Sequence, residues 1–169
     1  VINSGPAYFQ DDDGKWKEIE PNFTLYKPKK TDEKNYKYAS LNNGVKILMA
    51  GQSGTFQTIS LQKRGEEALQ WGAQKIGAVD QKGQILWQQQ AQKSEAKLSK
   101  FDWRQRGPQY QINGMSSPGN NISKEQGPSM IKTRLIYRNV FPQVDEEYLP
   151  GNNNVKHNLI LNAPPANIK

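Results

Sequence analysis

The stretch from Met130 to Leu161 constrains this chain more than any other. Within Arg134-Leu135-Ile136-Tyr137-Arg138-Asn139-Val140, Leu135 and Tyr137 point to one face of an extended chain and Ile136 to the other. Further on, Val155, His157, Leu159 and Leu161 alternate against Lys156, Asn158 and Ile160. Side chains two apart share a face of a strand, so both runs read as strands, and apolar residues on both faces place them centrally in a sheet. Phe141-Pro142-Gln143-Val144 reads as a tight corner and Gly151 as a turn. Tight connections join antiparallel strands, because a parallel crossover needs a dozen or more residues.

The same period of two recurs upstream. Tyr8-Phe9-Gln10 and Lys15-Trp16-Lys17-Glu18-Ile19-Glu20 flank Asp11-Asp12-Asp13-Gly14. An Asp side chain can bond the amides that follow it, and Gly supplies the positive φ that closes such a turn. Asp80-Gln81-Lys82-Gly83 repeats this chemistry between Ile76-Gly77-Ala78-Val79 and Gln84-Ile85-Leu86-Trp87, which predicts a second hairpin. Asn43-Gly44 is a strong turn signal ahead of the apolar run Val45 to Met49. A break from Gly51 to Gly54, a return strand over Phe56 to Leu61 and a short strand over Ala68 to Trp71 continue the meander.

Gln88 to Lys100 alone has helical composition, without Gly or Pro, but its apolar positions are sparse. It reads as either a short helix or an exposed linker. Gly107 to Pro128, rich in Gly, Pro, Ser and Asn, reads as a long irregular loop that can hold a strand at Tyr110-Gln111-Ile112. The expected fold is all-β, mainly antiparallel and β-sandwich-like, with at most one short helix. With 169 residues, 34% of them hydrophobic, the chain suffices for one medium core. One β-rich domain over 1–163 is the simpler organisation, and two packed β units of about 1–87 and 101–163 are the alternative. Ala163-Pro164-Pro165-Ala166 ends the pairing, so 164–169 reads as a linker or tail to a following domain.

The chain begins at Val1, without an initiator Met, and reads as a segment of something longer. No apolar stretch approaches the roughly 18 residues that span a bilayer, so membrane insertion is not expected. Lys and Arg outnumber Asp and Glu by 23 to 16, a net charge of +7, which raises the question of an anionic partner. The charges are interspersed, however. Even the densest cluster, Lys27-Pro28-Lys29-Lys30, is followed by Asp32-Glu33 and reads as a solvated loop, which weakens a nucleic-acid reading.

Chemistry-bearing residues are few. Cysteine is absent, excluding disulfides, thiolate zinc sites and thiol nucleophiles. His157 is the single histidine, in a strand-like run where a packed ring is the ordinary explanation, and no Gly-x-Ser-x-Gly elbow or phosphate-binding glycine motif accompanies it. Asp11-Asp12-Asp13-Gly14 lacks the ligand spacing and distal Glu of an EF-hand. Asp145-Glu146-Glu147 lies on a strand, where neighbours point to opposite faces, so the triplet cannot by itself form the apposed pair of a glycosidase. Neither an enzyme nor a cofactor or metal is expected. Aromatic rings can stack on sugars or bases, and Trp16 and Trp103, flanked by charge, are with Tyr110 the candidate binding residues for a glycan or protein partner.

Tyr8 followed by Asp11, Asp13, Gly14, Trp16 and Ile19, and the closing Tyr137, Asn139, Val140, Pro142, Val144, Asp145, Val155, Lys156, Ile160 and Leu161, carry a family resemblance. The two blocks resemble the ends of an amino-terminal β domain of large secreted bacterial surface proteins, of the type associated with DNRLRE domains and RHS or YD repeats. The resemblance implies a non-enzymatic extracellular or cell-surface module that supports adhesion or fibre assembly, with other copies or neighbouring domains as partners. It implies no catalytic residue. A glycan-binding module and a binder of nucleic acid or another polyanion are the alternatives.

Overall fold

The computed structural model describes residues 8–11, 13–63, 65–102 and 131–163, with the backbone alone at 101, 102 and 131. Two hairpins flank two larger antiparallel sheets. The hairpins are β1 (Tyr8–Gln10) with β2 (Trp16–Glu18), and β8 (Lys75–Val79) with β9 (Ile85–Gln90). One sheet orders β3 (Thr24–Leu25), β4 (Tyr36–Ser40), β5 (Lys46–Ala50), β6 (Ile59–Gln62) and β7 (Leu69–Trp71) as a meander. The other orders β10 (Ala96–Asp102), β11 (Ile131–Phe141), β12 (Val144–Pro150) and β13 (Val155–Leu161).

Both sheets feed one core. Tyr38, Ile47, Met49 and Ile59 from the first pack with Leu135, Tyr137, Phe141, Val144 and Tyr148 from the second, and Phe23 joins them from the chain before β3. This is the sandwich-like, all-β architecture expected from the period of two. Burying each such side chain is worth about 1.5–3 kcal/mol relative to exposure. Hydrogen bonds stitch the layers together: Tyr137 Oη donates to the Ala50 carbonyl at 2.7 Å, and the Phe23 N–H donates to Thr133 Oγ1 at 2.5 Å. On the other face of β5, Leu48 and Ala50 pack with Tyr36, Ala39 and Tyr26, so β5 is covered on both sides.

The two Asp-x-x-Gly turns form as their chemistry predicts. Asp11 Oδ1 accepts the N–H groups of Asp13 and Lys15 at 3.0 and 2.9 Å, and Asp80 Oδ1 accepts those of Lys82 and Gln84, both at 2.8 Å. Gly14 and Gly83 close the turns with φ of 79° each. The Pro142-Gln143 corner joins β11 to β12, with Phe141 opposite Val144. Proline at its second position and a φ of 63° at Gln143 match the pattern of a type II turn.

Three expectations are corrected. Gln88 to Lys100 is neither helix nor linker: it completes β9 and begins β10, whose Ala96 and Leu98 pair with Tyr137 and Leu135. Helix propensity is a weak preference, and the ladder to β11 overrides it. The run 155–161 is not central among the described residues, where β13 ends the sheet and Leu159, Ile160 and Leu161 are 47%, 36% and 61% exposed. The return strand starts at Ile59 rather than Phe56, because Thr58 Oγ1 donates to the Thr55 carbonyl at 2.8 Å and holds the chain in a turn. The expected loop over 107–128, its strand at 110–112 and the tail 164–169 lie outside the described residues.

Candidate functional site

β12 concentrates the ionisable groups of the fold. All seven of its residues are buried, among them Asp145 at 2%, Glu146 at 0% and Glu147 at 1% exposure. Adjacent strand residues face opposite ways. Glu146, paired with Tyr137 and Leu159, lies on the core side, whereas Asp145 and Glu147 lie on the outer side. The triplet is therefore split between two faces, as the sequence requires.

Each outer carboxylate has a structural partner set. Asp145 Oδ1 accepts the N–H of Asn139 at 2.7 Å and Oδ2 accepts Arg138 Nη1 at 3.0 Å. Asn139 has a φ of 51° and sits where the β11–β12 register shifts, so Asp145 clamps a β-bulge. Glu147 accepts Arg134 Nη1 at 2.7 Å and Asn158 Nδ2 at 2.9 Å, which ties β11, β12 and β13 together.

On the core side, Glu146 meets an aromatic column. The His157 ring stacks on Tyr148 with centroids 4.4 Å apart and planes 4° from parallel, and Tyr148 meets Tyr137 edge-on at 5.8 Å. His157 Nε2 lies 3.4 Å from Glu146 Oε1, and Tyr148 Oη donates to Glu146 Oε2 at 3.4 Å. Burial pushes the Tyr137 and Tyr148 phenols well above the usual range, and the nearby Glu146 charge adds to the effect. The packed ring expected of His157 is what the fold provides. Among the described residues no Ser or Thr hydroxyl bonds His157.

A second constellation lies beside the five-stranded sheet. There the first hairpin, the Lys27–Lys30 loop and the turns around Asn43 and Lys63 enclose a cleft of about 590 Å³. Its floor is a Tyr26–Glu33–Lys46 triad. The buried Glu33 carboxylate accepts Lys46 Nζ at 2.5 Å and the Tyr26 hydroxyl, and Lys46 lies 5.6 Å over the Tyr26 ring. Burial pushes the Glu33 carboxyl up, but the bonds from Lys46 and Tyr26 outweigh it and hold it below its usual value. Burial likewise pulls Lys46 down, and its bond to Glu33 outweighs that and raises it. Asp11 and Lys17 form an ion pair of 2.8 Å on the hairpin wall.

Of the residues singled out as candidate binders, Trp16 alone lies among the described residues. Trp16 is 72% exposed on β2 and does not line the cleft. Trp103 and Tyr110 lie outside the described residues. Among the described residues no group of three or more His, Asp or Glu is arranged for a metal, and no helix is long and apolar enough to cross a membrane. Lys29, Lys30, Asn43 and Lys46 were not candidates on sequence grounds. The basic cluster was visible, but its convergence with Lys46 and Lys63 depends on the meander.

The chain matches no family model, no curated protein and no solved structure at a significant level.

Proposed function

We propose that this chain is a non-enzymatic, extracellular or cell-surface interaction module of a bacterial protein, and that it assembles with a second copy of itself by pairing β13 with β13. The observation that carries the reading is the character of that edge. β13 pairs with β12 over seven consecutive residues without a bulge, contains no proline, and ends the described sheet. Natural edge strands are usually blunted by bulges, prolines or several charges. Here Lys156 is the only formal charge, and the run ends in the exposed Leu159, Ile160 and Leu161.

Self-pairing also satisfies the charge pattern. An antiparallel two-fold centred on Asn158 places Lys156 across from Ile160, His157 across from Leu159, and Val155 across from Leu161. Like charges then never stand opposite, and each exposed apolar residue gains a partner. A pairing of this kind is isologous, so it closes as a dimer. The split and clamped β12 triplet supports the non-enzymatic part, since its outer carboxylates serve the bulge and the sheet. The likeness of the two terminal blocks to secreted surface proteins supports the extracellular setting and the adhesive or scaffolding role.

Sedimentation velocity from micromolar to near-millimolar protein tests the assembly. The wild type is expected to shift from monomer to dimer with concentration, and the folded I160K/L161K variant to remain monomeric. A wild type that stays monomeric throughout, or a variant that dimerises equally well, would overturn the reading.

A further inference from the structure

We infer that the lysine-rimmed cleft beside the first hairpin is a binding site for an acidic oligosaccharide, a pyranose chain carrying carboxylate or sulfate groups. The inference is independent of β13 pairing, because the cleft is built from the other sheet.

Its charges are only partly spent within the fold. Lys17, Lys46 and Lys63 each have a carboxylate partner, namely Asp11, Glu33 and Glu66. Lys29 and Lys30 form no ion pair of this kind among the described residues, and Lys30 acts on Glu33 only through space. Both extend from an exposed loop onto the cleft. Two uncommitted ammonium groups facing a concavity attract an anion more strongly than the same charges on a convex surface, because the low-dielectric walls focus their field.

The remaining walls recognise hydroxyl groups. Gln10, Asn42 and Gln62 line the cleft with amides, of which Gln10 Nε2 donates to the Gly14 carbonyl at 2.7 Å and Gln62 Nε2 to the Glu66 carbonyl at 3.5 Å, and whose oxygens are acceptors. Asn43 is 3% exposed and donates its amide N–H to Ser40 Oγ at 2.8 Å, while its Oδ1 is buried without a hydrogen-bond donor. Phe9 supplies apolar surface of the sort that packs on a sugar face. The volume lies within the roughly 300–1,000 Å³ of small-ligand sites and accommodates a short saccharide rather than a single ion.

The same walls disfavour nucleic acid. Asp11, Asp13 and Glu33 line the cleft alongside the lysines. Their carboxylates can accept bonds from the free hydroxyls of a sugar chain, which the sugars inside a DNA strand do not carry. Affinity for nucleic acid rests on many phosphate contacts, and among the described residues this cleft offers two lysines without an ion pair, Lys29 and Lys30.

Titration calorimetry at 50 and 200 mM salt tests the site with four probes. They are an oligogalacturonate, a heparin-derived hexasaccharide, a neutral chito-oligosaccharide and a single-stranded oligonucleotide of matched charge. One or both acidic saccharides are expected to bind, more weakly at the higher salt, and which of them binds identifies the anionic group. The neutral saccharide and the oligonucleotide are expected to bind at least ten-fold more weakly. K29A/K30A, in an exposed loop, should lose at least ten-fold in affinity, and Lys75→Ala, outside the cleft, should lose less than two-fold. Absence of binding by both acidic saccharides, equal binding of the oligonucleotide, or equal losses in the cleft and control variants would overturn the inference.

Discussion

Replacing Asp145 separates an architectural carboxylate from a merely charged one. Its two oxygens do different work: Oδ1 holds the N–H of Asn139 inside the bulge, and Oδ2 meets Arg138, whose side chain is 60% exposed. A hydrogen bond to a charged group contributes about 1.5–3 kcal/mol, whereas an ion pair with an exposed partner contributes about 0–1 kcal/mol after solvent screening. Asp145→Ala removes both and leaves a small void, so a loss of about 2–4 kcal/mol is expected. Asp145→Asn keeps an acceptor for Asn139 and weakens only the charge, for a loss of about 1 kcal/mol. Arg138→Ala removes only the exposed pair and should lose less than about 1 kcal/mol. Urea unfolding of the three variants, with a common slope confirming two-state behaviour, reads the order directly. If Asp145→Asn costs as much as Asp145→Ala, charge rather than bulge-clamping is the role of this residue. An equal loss in Arg138→Ala would refute the partition between the two oxygens.

The Glu33–Lys46 pair gives the fold an acid-sensitive component. Because folding lowers the Glu33 carboxyl below its usual 4.5, the stabilisation is present above that pH and is lost as pH falls through the folded value. Thermal melts from pH 7 to 2 should show this loss in the wild type and a smaller one in Glu33→Gln, and parallel profiles would contradict it. At the corner, Gln143→Gly should raise stability by about 0.5–1 kcal/mol, because a φ of 63° is strained for a residue with a Cβ. A lower midpoint in chemical denaturation would show that the Gln143 side chain contributes more than its backbone strain costs.

Local chemistry made much of the fold legible. The Asp11 and Asp80 turns and the Pro142-Gln143 corner are written in residues whose backbone preferences act over four positions, and they formed where expected. Strands β3 and β4 were not read, because Tyr36-Lys37-Tyr38-Ala39-Ser40 mixes faces around a bulge and breaks the period of two. The β10 strand was obscured by helix-forming residues whose partner, β11, lies some 35 residues away in sequence. In β13, an apolar residue on each face signals burial in a central strand, but at an edge it signals exposure, and only the sheet order separates the two. The same holds for the cleft. Lys27-Pro28-Lys29-Lys30 is conspicuous in sequence, but its neighbours Lys46 and Lys63 are brought to it by the meander and carry no local signal.

Hydrogen exchange of the β13 amides as a function of protein concentration tests the central claim most directly. An unpaired edge strand leaves alternate amides open to water, and pairing with a second β13 closes them. The outward amides of Val155–Leu161 are expected to exchange within seconds in dilute protein and to gain at least ten-fold protection at concentrations where the dimer forms, with the exposed β7 edge unchanged. Fast exchange of β13 at every concentration, or protection that does not vary with concentration, would contradict the account.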